Sequence, residues 1–580
     1  MGQEDGQKLY KKEKTKMLLN PKKLNKTYPD KETEEIMTKT IDFFENLGLA
    51  KTNEDYYSAR WYTEFLDFLK EEEIMAKLLT PAGYGENARW DTSRIVEFAE
   101  ILGFYGLTYW YCFQVSALGL GPIWIGKNEA VKTKAAKLLK EGKIFGFGLS
   151  EKEHGADIYS TSMQLHPQED GTYKAKGNKY YIGNGNEAAM ISTFGKMADT
   201  GDYVFFVVDS QHENYECVKN VVYNQDYVAE YALHDYPITE ADITDKGREA
   251  WDSSLNTINI MKFNLGWASI GICEHAFYEA IDHASNRNLF GKYVTDFTHI
   301  RQLFVDSYCR LFAMKTFALR ATDYMRSASE NDRRYLLFNP MVKMKVTTQG
   351  EEVINHLWDI IAAKGFEKDT YFSNAAIDIR ALPKLEGTVH VNMALIIKFM
   401  PNYFFNPGEF PEIPKRDDPC NDDFLFNQGA TKGLGKTKFH DYNIVYGKYD
   451  LPNINIFKKQ IESFKEFMMV SFESMEAQSK DIDFLLNVGE LFSLVAYGQL
   501  ILENKEIYDI NEDIIEQIFD FMIRDFSKFS LQVYSKTNAT KQQQDICLKM
   551  IQRPVVDEAR YNRVWENHVY AMKGTYEMNP

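Results

Sequence analysis

Around Phe145 the chain changes its period, and around Trp251 it changes back. From about Tyr28 to Lys143 core-type residues recur at three and four, as in Ile36, Thr40, Phe43 and Phe44 or Ile95, Phe98, Ala99 and Leu102, the spacing of amphipathic helices. Gly119, Gly121 and Pro122 punctuate this region, and Pro122 can open a helix at its first turn. From Phe145 to about Ile243 the texture becomes Tyr, Val, Thr and Asn in short alternations such as Tyr203-Val204-Phe205-Phe206-Val207-Val208, with glycine and Asp-Gly turns between them. That pattern predicts a sheet built from hairpins. Helical spacing resumes at Trp251 and persists to about Met400, where Ala268, Ile272, Ala276, Ala280, Ile281 and Ala284 form one stripe of small residues that predicts close helix packing.

Pro401, Pro407, Pro411, Pro414, Pro419 and Pro452, with intervening Asn, Asp and Gly, mark 401–452 as a linker or draped loop. Beyond it, Ile454 to Asn538 again reads as amphipathic helices, for example Leu485, Leu486, Val488, Leu491 and Phe492. The order of textures predicts an α+β fold. It comprises a tail (1–27), an N-terminal helical domain (28–144), a middle antiparallel β-domain (145–250), a helical bundle (251–400), a linker (401–452) and an additional C-terminal helical domain (453–580).

With 580 residues, 44% of them hydrophobic and 26% charged, the chain has ample material for several cores. The 67 basic and 84 acidic residues leave a net charge of −17, which argues against a nucleic-acid partner. The Lys-rich run from Lys11 to Lys26 is mixed with acids and reads as a solvated tail. Cys112, Cys217, Cys273, Cys309, Cys420 and Cys547 are widely spaced and suit buried thiols in a reducing compartment. No apolar run is expected to reach the roughly 20 residues of a bilayer span. Glu4, Asp5 and Glu13 make the N-terminus unlike a signal or transit peptide, and Met1-Gly2 is followed by Gly6 rather than the Ser or Thr of a myristoylation site. A soluble intracellular protein is expected. The histidines form no H-E-x-x-H or similar cluster, so no metal site is expected.

The stretch Gly146 to Ala189 contains, in order, Leu149-Ser150-Glu151, Gly155-Ala156-Asp157, Asp170-Gly171 and Tyr181-Ile182-Gly183-Asn184. Arg287-Asn288-Leu289-Phe290-Gly291-Lys292 follows, and about 100 residues later comes Leu385-Glu386-Gly387-Thr388. In order and spacing these phrases resemble those of the acyl-CoA dehydrogenases, over roughly residues 40 to 400. The resemblance implies an FAD cofactor, an acyl-CoA substrate and conversion to the trans-2-enoyl-CoA, with electrons passing to an electron-transfer flavoprotein. It implies a cytoplasmic location in a bacterium and a mitochondrial-matrix location in a eukaryote. The C-terminal region resembles the extra helical domain of the larger dehydrogenases and of the acyl-CoA oxidases in size and helicity.

Carried over by position, the resemblance makes Glu386 the base that takes the α-proton, its backbone N–H also donating to the thioester carbonyl. A carboxylate suits that task if burial raises its proton affinity. Ser150 is expected at the flavin pyrimidine edge, Tyr181 over the ring system, and Thr388, Leu149, Gly155, Ala156 and Gly183 near the cofactor. Arg287 is expected to reach a pyrophosphate across a subunit interface, with Phe290 and Lys364 beside the same cofactor, which implies a homodimer or dimer of dimers. Asn259, Lys262, Leu385 and Gly387 are the expected substrate contacts. Trp110 and Tyr111 lie on the helix that bounds the acyl cavity in relatives.

The chain also departs from the family pattern. Gly183 stands where a Thr hydroxyl meets flavin N5, Ala156 replaces a Ser, and Ala362-Ala363-Lys364-Gly365-Phe366 replaces Gly-Gly-Asn-Gly-Phe. Each missing neutral hydrogen bond is worth about 0.5–1.5 kcal/mol, and Lys364 can offset part of the loss with its charge. Two alternatives stay open beside the dehydrogenase: an acyl-CoA oxidase using oxygen, and a catalytically silent relative serving as a structural or assembly subunit. Two other motifs are set aside. Gly183 to Ala188 matches G-x-G-x-x-A but sits in hairpin texture, and Gly435-Lys436-Thr437 follows no buried strand.

Overall fold

The computed structural model describes residues 17–24, 26–471 and 478–580. Residues 1–16 of the expected tail, with the Met1-Gly2 start and the beginning of the lysine run, lie outside them. Seven helices open the fold: α1 (Lys31–Leu47), α2 (Leu49–Tyr57), α3 (Thr63–Glu71), α4 (Ile74–Leu79), α5 (Thr92–Tyr105), α6 (Leu107–Ile125) and α7 (Glu129–Lys140). Side-chain caps start α1, α5 and α7, Asp30 accepting from Thr33 N, Asp91 from Ser93 N and Asn128 from Ala130 N and Val131 N. All but the last residue of α6 is buried, as expected of a helix that is apolar all round.

The sheet comprises β1 (Phe145–Gly148), β2 (Gln164–Pro167), β3 (Tyr173–Gly183), β4 (Met190–Met197), β5 (Tyr203–Val208), β6 (Tyr215–Asn220), β7 (Val228–Ile238) and β8 (Ile243–Lys246). Its order is β6-β7-β3-β2-β4-β5-β8, with β1 added beside β4. The expectation of a purely antiparallel sheet needs correction, because β1 and β2 both run parallel to β4. Phe145 to Gly148 pair with Met190 to Thr193, and Gln164 and Leu165 with Lys196 and Met197. The two strands therefore continue one another along one side of β4. The intervening loop, which holds Leu149 to Asp157, is extruded from what is in effect a single broken strand. Gly183 to Ala189 connect β3 to β4, and no helix separates those strands.

Helices α8 (Gly247–Met261), α9 (Asn264–Asn286) and α10 (Thr298–Arg326) begin the bundle, and the short hairpin of β9 (Asn288–Leu289) and β10 (Lys292–Tyr293) projects between α9 and α10. The small-residue stripe does bring helices together. A Cβ on Gly103 of α5 would lie 2.5 Å from the Ala268 carbonyl oxygen of α9, and one on Gly271 would strike the Glu100 carbonyl. After α11 (Tyr335–Met341), a π-helical segment Val342–Val346 leads into α12 (Thr347–Ile361), followed by α13 (Phe372–Asp378) and α14 (Val389–Ile396).

The proline-rich segment is draped but anchored. Phe404, Leu425, Phe426, Phe439, Tyr442 and Tyr446 are buried, and Asp422 Oδ2 accepts from Thr92 N at 2.7 Å. The C-terminal helices Pro452–Ser471, Ile482–Ile507, Glu512–Tyr534 and Lys541–Met550 share a continuous core with the bundle. A buried bidentate pair ties them on, Arg310 donating to the two Asp525 oxygens at 2.8 and 3.0 Å. The expectation that no apolar run is long enough to span a bilayer also needs correction. Ile482–Ile507 passes by length and composition, and 78% of its most apolar window is buried inside the protein. The chain then returns to its start: Tyr576 and Met578 enter the core, and Leu49 N donates to Asn579 O at 2.8 Å.

Candidate active site

Between α13 and α14 the backbone turns through two left-handed residues, Glu386 at φ 50° and Gly387 at φ 85°. A non-glycine residue in that region is strained, and such strain is held only where surroundings fix it. Here Asn392 Nδ2 donates to the Gly387 and Thr388 carbonyls at 3.0 and 3.1 Å, and Thr388 caps α14. The turn drives the Glu386 side chain inward. Its Oε1 accepts from Gln114 Nε2 at 2.7 Å, while Oε2 is shut away from water with no hydrogen-bond partner. Burial pushes the Glu386 carboxyl up to about 7, against the opposing pull of the Gln114 donor and the Lys343 and Lys262 charges. Among the described residues, the Glu386 N–H donates to no backbone or side-chain acceptor.

The surrounding groups form one buried polar cluster. Gln114, on α6, spends its amide fully: Nε2 also donates to Met261 O at 2.9 Å, and Oε1 accepts from Asn264 Nδ2 at 3.0 Å. Lys262, at the end of α8, donates to Asn392 Oδ1 at 3.2 Å and is brought down by burial to about 8. Lys343, in the π-helical segment, donates to Pro383 O at 2.6 Å and is brought down to about 7. Two lysines thus face one carboxyl, which favours its ionised form while burial opposes it. Sequence reading missed Gln114, Asn264, Lys343 and Asn392. The one available signal was the lone amide in the apolar run Leu107 to Ile125. Of the expected substrate contacts, Lys262, Leu385 and Gly387 surround this turn. Asn259 stands one turn earlier on α8 with its side-chain Nδ2 buried and unpartnered.

The extruded β-domain loop is pinned at its base. Lys179 Nζ, fully buried, donates to Leu149 O at 2.9 Å, Glu151 Oε1 at 2.8 Å and Thr161 Oγ1 at 3.2 Å. Glu151 also accepts from the Ser162 and Met163 N–H groups at 2.8 and 3.2 Å. The Ser150 hydroxyl donates to Tyr180 O at 2.9 Å, so its side chain is turned back onto β3. Gly155, at φ 48°, and Ala156 stand in the open part of the loop. Tyr181 lies at a register shift between β3 and β7, with φ 68° and 44% of its surface exposed.

Arg287, Phe290 and Lys364 belong to a second locality. Arg287 closes the far end of α9, and Phe290 is 96% exposed at the tip of the β9–β10 hairpin. Arg287 Nη1 approaches His283 Nε2 at 3.5 Å, and the charges of Arg287 and Lys364, after burial, hold His283 low. Lys364 donates to Glu367 Oε2 at 2.7 Å in a partly exposed ion pair within its own turn. At 1.5 Å per residue, the 23 steps along α9 separate Asn264 from Arg287 by about 35 Å.

A helical layer, a sheet with an extruded loop, and a helical bundle presenting an enclosed carboxyl on a strained turn together make up the architecture that the comparisons match. The family model described as "Acyl-CoA dehydrogenase, C-terminal domain" matches residues 249–400, the span that holds both Arg287 and Glu386. The chain is 21% identical over 373 residues to the caffeyl-CoA reductase-Etf complex subunit CarC of Acetobacterium woodii, covering 61% of this chain and 97% of that one. It is 22% identical to an acyl-CoA dehydrogenase of Bacillus subtilis, over 49% of this chain and 76% of that one. Among solved structures, an acyl-CoA dehydrogenase from Bacillus anthracis complexed with FAD superposes with a TM-score of 0.73 at 15% identity, over 94% of this chain and 96% of that one. Butyryl-CoA dehydrogenase from Megasphaera elsdenii gives 0.56 at 19%, over 64% and 98%. Over residues 249–400 the chain carries the acyl-CoA dehydrogenase C-terminal domain, and its fold throughout is that of the acyl-CoA dehydrogenases.

Proposed function

We propose that this protein removes the α- and β-hydrogens of an acyl-CoA thioester with FAD as acceptor, Glu386 taking the α-proton. The observation that carries the reading is the enclosed Glu386 carboxyl, raised to about 7 with one oxygen unpartnered. A base held there has its proton affinity matched to neutral pH. The free Glu386 N–H is suited to stabilise charge developing on the thioester oxygen.

The residues present fit FAD. Tyr181 keeps an exposed aromatic face, and Tyr111 lies within electrostatic reach of both Tyr181 and Glu386. When bound, the flavin supplies the hydride acceptor. The protein holds the loop from Leu149 through the Lys179–Glu151 pair, keeps water from the base, and supplies the lysines that favour its anion. Arg287 and Phe290, at the far end of α9 about 35 Å from Asn264, are proposed to serve a second subunit's cofactor, which makes the working unit a homo-oligomer. The electron-transfer flavoprotein is the proposed acceptor, in keeping with the Etf complex in the name of the Acetobacterium relative.

Anaerobic titration of the flavin-loaded protein with a panel of acyl-CoA thioesters tests the reading. Bleaching of the flavin absorbance by at least one thioester is expected. A colourless protein that takes up no FAD and stays inert would favour the structural-subunit alternative, and rapid peroxide formation on mixing the reduced protein with oxygen would favour the oxidase.

A further inference from the structure

Position 183 has no room for a side chain. A Cβ built on Gly183 would lie 2.7 Å from Val115 Cγ2, 2.9 Å from Tyr111 Cε1 and 3.1 Å from the Tyr111 hydroxyl oxygen, all inside the roughly 3.5–4.0 Å at which unbonded carbons rest. The Tyr111 phenol fills the volume that a side chain at 183 would take, and it brings a hydroxyl with it.

Tyr111 reaches this place from α6, one turn before Gln114, and is only 8% exposed. The Asp226 carboxyl, the Tyr181 phenol and the Glu386 carboxyl all act electrostatically on its hydroxyl. Burial pushes the phenol well above its ordinary range, so it remains a neutral O–H donor. No hydrogen bond from that hydroxyl is made to any described residue, although buried tyrosine hydroxyls usually find an acceptor. A donor left unspent, with its oxygen still accessible, is stabilised by a ligand that brings the acceptor.

We propose that Tyr111 is a cofactor-contacting residue, its hydroxyl donating to the flavin ring from the place where Gly183 has no side chain to do so. The glycine at 183 and the tyrosine at 111 are then one paired device rather than a loss. The inference rests on the flavoprotein reading above. Val115 packs against the same glycine.

The test uses the full chain and FAD itself. Tyr111→Phe keeps the ring and the packing, so its melting temperature should match the parent. Its FAD dissociation constant should rise about fivefold, the effect of one neutral hydrogen bond, and the visible flavin spectrum and midpoint potential should both shift. Gly183→Thr alone should bind FAD poorly, because its side chain meets Tyr111 and Val115. Tyr111→Ala combined with Gly183→Thr should bind FAD more tightly than Tyr111→Ala, since a hydroxyl is returned to the same place. If the parent binds FAD and Tyr111→Phe matches it in affinity, spectrum and potential, the Tyr111 assignment is overturned while the flavoprotein reading stands. If the parent takes up no FAD under reconstitution, both fall together.

Discussion

Replacing Gln114 by Leu removes the one hydrogen bond that the Glu386 carboxyl receives among the described residues, and its effect can be worked from the site. A hydrogen bond to a charged group is worth about 1.5–3 kcal/mol, or about 1–2 pH units at 1.36 kcal/mol per unit. Lys262 and Lys343 still face the carboxyl in the variant, and Lys343 keeps its bond to Pro383 O. The lower end, about one unit, is therefore expected. The sign follows from the base acting as a carboxylate: losing a donor to the anion raises the pKa. The rate limb that climbs through about 7 in the parent should climb through about 8 in the variant. At pH 7 the ionised fraction falls from about half to about one tenth, so the rate should drop about fivefold and recover on the alkaline side. The assay is the pH profile of kcat/KM for a bleaching thioester between pH 5.5 and 9.5, with a thermal melt for the cost of orphaning Asn264 and Met261 O. An unmoved limb, or the same loss at every pH, would refute the assignment of Gln114 as the donor that holds the base.

Lys179→Met leaves Glu151 buried without its ion partner, a loss of about 3–5 kcal/mol. Trypsin should then cut at Lys152 faster in the variant, and combining it with Glu151→Leu should restore much of the stability. An unchanged cutting rate would show that the pair does not pin the loop. Asp226 is raised by burial to about 7, so its protonated form is favoured in the fold; that stability is present below about pH 4 and lost as pH climbs through about 7. Asp226→Asn should therefore match the parent in urea melts near pH 3.5 and exceed it at pH 8, by on the order of 4 kcal/mol. A variant no more stable than the parent at pH 8 would contradict the raised pKa. Glu386→Gln and Arg287→Gln should each be inactive alone and regain activity when refolded together, because a mixed pair has one intact site; no recovery would mean that Arg287 does not serve a neighbour.

What the sequence revealed was set by local chemistry. The switch of period near Phe145 marks the start of β1, and the stripe from Ala268 to Ala284 lies on α9, whose glycine-mediated crossing with α5 follows from small side chains. The parallel placement of β1 and β2 could not be read, because a broken strand and a hairpin strand share the same alternation. Glu386 was legible from its tetrapeptide and its distance from Arg287. Its supporting groups come from α6, the α8–α9 corner and the π-helical segment, and only the fold brings these together. Gly183 read as a missing hydroxyl, and the structure shows why no side chain stands there: the ring of Tyr111, 72 positions earlier, takes its space.

The central claim is that Glu386 abstracts the α-proton, and isotope exchange tests it without electron transfer. The protein is incubated anaerobically in deuterated buffer with a thioester that it binds, and deuterium at the α-carbon is followed by mass spectrometry. The parent should exchange the α-hydrogen in a pH-dependent manner with a midpoint near 7, and Glu386→Gln should exchange none above the buffer rate. Exchange at the parental rate in Glu386→Gln would contradict the account.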